Sequence, residues 1–227
     1  LLPIADAVFT ENAYSGVKMA DDTALSDEAR EHYALGQRLV AAGSYPRAQE
    51  HFVKAIRICP DVVSLHMALG KAFLFQKKPD LPKALRAFLR AVDLNPDRAE
   101  GYHWLGMAQE QKGELFDAVA SFERAIHLAA DDTRSLISLG GCLNRLGKFD
   151  AAIQKLRRAI ESKPRYGEAS ARLFLADALR RSGNTEAACD EWKLILEMPW
   201  EYLEYDQAGN EAKQLLKKYQ APKSAKG

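Results

Sequence analysis

Cysteine, one-sided charge, long apolar runs and catalytic motifs are all scarce in this chain of 227 residues. Its three cysteines, Cys59, Cys142 and Cys189, are odd in number and far apart, which excludes a disulfide framework. No two stand two residues apart, so ribbon-type zinc sites and dithiol redox motifs are excluded too. The net charge is only +1, from 32 basic and 31 acidic residues, which argues against nucleic acid or an anionic membrane surface as a bulk partner. No apolar run approaches the roughly 20 residues of a spanning helix, so membrane insertion is not expected. There is no H-E-x-x-H and no G-x-S-x-G, and Gly70-Lys71 lacks the upstream glycine and the following Ser or Thr of a phosphate loop. Free thiols lean toward a reducing, cytoplasmic compartment. A chain that starts at Leu1 rather than Met leaves a removed signal segment open, and with it a secreted or periplasmic location.

What is present is periodicity. Leu-Gly pairs recur at Leu35-Gly36, Leu69-Gly70, Leu105-Gly106 and Leu139-Gly140, with Leu175-Ala176 as a fifth copy, spaced 34 or 36 residues apart. A second series follows each pair: Ala48, Ala84, Ala118, Ala152 and Ala188, then four residues on Phe52, Phe88, Phe122, Leu156 and Trp192. Three further on stand Ala55, Ala91, Ala125, Ala159 and Ile195, and Pro60, Pro96 and Pro164 close three of the units. Glycines at 43, 113, 147 and 183 mark a mid-unit turn, which the second unit replaces with "KKPDLP". Residues at i, i+3, i+4 and i+7 share one face of a helix. Each unit therefore reads as two short helices joined by a tight turn and ended by proline, which has no N–H to continue the ladder. Small residues let the two backbones approach, and a large one fills the gap. A lone pair this short cannot bury its apolar face, so neighbours must stack.

These residues resemble the tetratricopeptide repeat family, whose pattern sets a Leu-Gly pair, an Ala, an aromatic and a Pro at these offsets. The resemblance implies an all-α chain, a right-handed α-solenoid of five helix-turn-helix units plus a C-terminal capping helix. The expected organisation is an irregular arm over 1–26, then units at about 27–62, 63–98, 99–132, 133–168 and 169–198. A capping helix and frayed basic tail follow over 199–227. Ser26 is the expected cap of the first helix, and Ala208, Ala212, Leu215 and Leu216 the apolar side of the last.

In that family a second stripe on the first helix of each unit lines the concave groove. Here it offers Tyr33, Gln37, Met67, Lys71, Phe75, His103, Met107, Arg134, Ile137, Asn144, Leu173, Asp177 and Arg180 as partner-binding residues. Tyr33, Met67, His103, Ile137 and Leu173 fall at one position in successive units, a mostly apolar track of the kind that marks an interaction surface. Arg134, Arg145, Arg180 and Arg181 would favour acidic residues of the ligand at the later units. The carboxylate clamp of family members that grip chaperone C-termini is not matched: its positions hold Tyr33, Gln37, Ala68, Glu100 and Trp104. No carboxylate-clamp chaperone binding is expected.

The remaining candidates read as structure. His32 and His66 occupy equivalent positions, yet no acidic or Cys ligand accompanies them, and zinc usually takes three protein ligands. Neither metal nor cofactor nor catalytic residue is expected. Trp192 is expected in the core, Trp104 half-buried beside it, and Trp200 as an anchor for the last helix. The function these readings support is a non-catalytic adaptor that holds a peptide or helix of a partner protein. The alternative is a self-assembling scaffold, in which the arm, with Val8, Phe9 and Tyr14, or the solenoid ends contact neighbouring copies.

Overall fold

The structure is a computed structural model that describes residues 25–162, 167–198 and 205–219. Among the described residues there are eleven α-helices and no strand. The chain divides into two compact units that meet in sequence at Ala130 and Asp131. The first contains three helical hairpins: α1 (Asp27–Ala41) with α2 (Tyr45–Ile58), α3 (Val63–Leu74) with α4 (Leu81–Leu94), and α5 (Ala99–Lys112) with α6 (Leu115–Leu128). The second contains α7 (Thr133–Arg145) with α8 (Phe149–Glu161), α9 (Glu168–Arg181) with α10 (Thr185–Glu197), and a last helix, α11 (Tyr205–Tyr219).

Local chemistry starts and stops these helices. Ser26 caps α1, its Oγ accepting from the Ala29 amide at 3.3 Å, with Asp27 and Glu28 in the first turn. Pro46 and Pro82 sit in the opening turns of α2 and α4, where a missing N–H leaves no bond unmade. The turns at Gly43, Gly113, Gly147 and Gly183 all take positive φ, between 70° and 99°, a conformation that a Cβ disfavours. The second hairpin lacks that glycine, and there Asp80 accepts from the Lys83 amide at 3.2 Å to start α4. Of the three closing prolines, Pro164 lies outside the described residues, as do the arm before Leu25, Trp200 and the tail after Tyr219.

Within each hairpin the small-to-large pairing is literal. A Cβ built on Gly70 would stand 2.5 Å from the Phe88 ring, and one on Gly106 2.8 Å from Phe122. Gly36 meets Phe52, and Gly140 meets Leu156, in the same way. The Ala and aromatic series of the second helices is buried throughout, from Ala48, Phe52 and Ala55 to Ala188, Trp192 and Ile195. Each such aromatic contributes roughly 1.5–3 kcal/mol by leaving water.

Hairpins stack by their sides. In the first unit α2 packs on α3 and α4 on α5; in the second α8 packs on α9. First helices also touch first helices, α1 with α3, α3 with α5, and α7 with α9. This extra neighbour corrects one expectation: Trp104 is not half-buried but fully buried. Its ring stacks on Phe88 at 6.3 Å and meets the edges of Phe75 at 5.6 Å and His103 at 5.3 Å. At the other end α11 lies on α10 and α9, burying Ala208, Ala212 and Leu216, while Tyr219 stacks on Trp192 at 5.7 Å. All three cysteines are thiols; Cys142 and Cys189 are buried, and Cys59 is half-buried.

Candidate binding face on the first helices

The thirteen predicted groove residues separate by burial. Gln37 is exposed, and Tyr33, Lys71, Phe75, Arg134, Asp177 and Arg180 are half-buried. Met67, His103, Met107, Ile137, Asn144 and Leu173 are buried, none more than 4% exposed. The expected apolar track is therefore not an open surface: of its five members only Tyr33 retains appreciable exposure, and its ring leans on Phe52 at 5.9 Å. The physical reason is that a first helix shares its sides with its own partner helix, the preceding second helix and adjacent first helices. His103 is held the same way, 5.8 Å from the Phe122 ring.

In the first unit the accessible face is organised around Glu100. One carboxylate oxygen accepts from Lys71 Nζ at 3.0 Å and from the Trp104 indole N–H at 3.3 Å. The other accepts from Arg98 at 2.9 Å. Burial pushes the Glu100 carboxyl up, but Lys71 and Arg98 more than offset it and hold it below the usual carboxylate range. Lys71 also lies over the Trp104 ring at 4.7 Å, a cation–π contact. Lys71 and Phe75 are thus fixed on one helix by partners on the next, a pre-organised polar and aromatic rim. Sequence reasoning placed Lys71 on this face but missed its partner. The available signal was opposite charge on Lys71 and Glu100 at stripe positions of adjacent first helices.

The second unit carries a different network. Asn144 donates to Asp177 at 2.7 Å, and Asp177 accepts from Arg180 at 2.6 Å. Arg181 donates to the Asn144 backbone carbonyl at 2.8 Å and stacks its guanidinium 4.8 Å from the Phe149 ring. Arg180 lies 5.5 Å from the Tyr219 ring, and its carboxylate partner holds it above the usual range. Arg134 meets Asp132 at 3.2 Å, and burial lowers its pKa from the ordinary arginine value.

The histidine expectation is redistributed. His66 donates its Nε2–H to the Pro60 carbonyl oxygen, 2.7 Å away, a structural bond that ties α3 to the end of the preceding hairpin. His32 instead meets His51, across the first hairpin. Among the described residues no group of three or more His, Cys, Asp or Glu side chains is arranged to hold a metal, and no helix is long and apolar enough to cross a membrane.

The sequence model of the tetratricopeptide repeat family matches residues 33–81, 75–134, 117–167 and 143–193. The TPR repeat-containing thioredoxin TDX of Arabidopsis thaliana is 30% identical over 135 residues, covering 60% of this chain and 34% of that protein. The chain thus spans about a third of that relative's length. Among solved structures, MamA from Desulfovibrio magneticus RS-1 aligns with a TM-score of 0.69 at 19% identity, covering 81% of this chain and 99% of the other. YrrB, described as a TPR protein with an unusual peptide-binding site, aligns with a TM-score of 0.62 at 18% identity, covering 86% and 100%. At these identities the structural likeness speaks for the fold.

Proposed function

Because the chain belongs to the tetratricopeptide repeat family, we propose that it is a non-catalytic adaptor that binds a peptide or helix of a partner protein on its first-helix faces. The observation that carries this reading is the rim around Glu100: Lys71 and Phe75 are held in place by Glu100 and Trp104 yet keep part of their surface in solvent. Pre-organised side chains lose little freedom on binding, which favours affinity. The peptide-binding site named for YrrB supports the reading by analogy of fold. Gln37, Tyr33, Lys71, Phe75, Arg134, Asp177 and Arg180 are the contacts proposed, with the buried members of the stripe setting their positions. In the second unit, Arg134, Arg180 and Arg181, each set beside a carboxylate of the chain, are the cations proposed to meet acidic side chains on the ligand.

Photocrosslinking from single sites on the full chain tests this. A partner captured from Gln37 and Phe75, and not from Phe116 on the outer face of α6, is the expected result. Equal capture from all three sites, or capture from Phe116 alone, overturns the assignment of the face. Light scattering on the same preparation separates self-assembly: a concentration-dependent oligomer with no foreign partner moves the function to a scaffold.

A further inference from the structure

The first hairpin brings two imidazoles together in a way that neither packing nor the binding face uses. His32 is on α1 and His51 on α2, and their Nδ1 atoms are 3.1 Å apart, with ring centroids at 5.2 Å and planes tilted by 46°. Both rings are half-buried at the surface of the hairpin. One Nδ1 donates and the other accepts, so the contact is satisfied only while one ring carries its proton on Nδ1 and the other does not.

We propose that His32 and His51 form a two-imidazole clamp for a divalent transition-metal ion of the zinc class. Zinc–imidazole bonds of about 2.0–2.1 Å put two nitrogens in adjacent coordination positions about 2.9–3.4 Å apart. The observed separation falls inside that window, and the two helices that set it are locked by Gly36 against Phe52 one turn away. Coordination through both Nδ1 atoms requires the rings to turn about χ2, a soft torsion for a ring. Both rings then take the Nε2–H tautomer and coordinate through Nδ1. Water completes the coordination shell, since the rings stand at the surface. The surrounding charges are Arg47, Glu50 and Lys54 on α2. Imidazole ligands suit Zn, Cu and Ni and do not suit hard cations such as calcium.

The test uses the full chain and zinc chloride alone. Imidazole carbon–proton NMR correlations follow all five histidines during the titration, with calcium chloride as control. The expected result is saturable movement of the His32 and His51 resonances together at one zinc per chain, with none on calcium. By titration calorimetry, H32Q and H51Q each weaken zinc binding by about ten-fold or more, while H66Q and H127Q leave it unchanged. Circular dichroism checks that each variant keeps its helix content. Absence of a saturable shift at these two rings, or unchanged affinity in both H32Q and H51Q, overturns the proposal.

Discussion

Except in the first hairpin, where α1 and α2 bury three residues each, the two helices of a hairpin solve different problems. α8 buries three of its 13 residues, Ala152, Leu156 and Ala159, along a single stripe. Its partner α7 buries ten of 13, an unbroken run from Ser135 to Asn144. The same contrast holds between α4 and α3. A helix with one apolar stripe faces one neighbour, and a helix buried on most sides is surrounded. The second helices therefore hold each hairpin closed, whereas the first helices after α1 are the shared interior between hairpins. A binding face on a first helix is confined to the few side chains that this crowding leaves at the edge.

The largest effect should come from the closing stripe. Phe122→Ala removes a fully buried ring that fills the space against Gly106, and such truncations cost about 3–5 kcal/mol. Phe116→Ala on the same helix removes a ring that is 72% exposed and should change stability by less than about 0.5 kcal/mol. Urea unfolding of both measures the difference. Equal losses would break the distinction between the buried and outer faces of a second helix.

The interior role of the first helices is sharpened by Met67. A buried Met truncated to Ala costs about 2–5 kcal/mol, so Met67→Ala should lower the urea midpoint nearly as far as Phe122→Ala. A loss below about 1 kcal/mol would return Met67 to an open surface, as the repeat register alone predicts.

Next in size is the contact between the two kinds of helix. Gly106→Ala forces a Cβ onto the Phe122 ring, and overpacking of this kind costs about 1–3 kcal/mol. Ala176 already carries a Cβ at the equivalent repeat position and is buried there. Ala176→Gly should lose only about 0.5–1 kcal/mol, through backbone entropy and helix propensity. Thermal melts of the two variants compare them directly; a neutral Gly106→Ala would mean that the Phe122 ring can turn aside.

These differences explain what the sequence disclosed. The second-helix stripe was legible because one neighbour leaves one period: Ala118, Phe122 and Ala125 announce their face by spacing, and the mid-unit glycines announce the turn. The first helices were legible only in part. Leu105 and Gly106 mark the side toward the partner helix, but the burial of Met67, His103, Ile137 and Leu173 depends on helices far along the chain. Spacing within one unit carries no record of those neighbours. Histidine partners were illegible for the same reason: register equates His32 with His66, while the hairpin crossing sets His32 against His51.

The smallest effect distinguishes the rim from the core by pH. Glu100 is pushed up by burial and pulled down further by Lys71 and Arg98, so its pKa in the folded chain lies below the ordinary 4.5. A carboxyl with a depressed folded pKa binds fewer protons in the native than in the unfolded state, so its contribution is complete at neutral pH. That contribution is lost as pH falls through 4.5 and on through the folded value. Glu100→Gln should therefore be less stable than the parent at pH 7, with the gap narrowing as the pH is taken below 4.5. Thermal melts of parent and variant across that range provide the check. A gap that stays constant with pH would assign the loss to the altered hydrogen bonds of the Trp104 indole and the Lys71 ammonium, and not to the ionised carboxylate that holds the rim together.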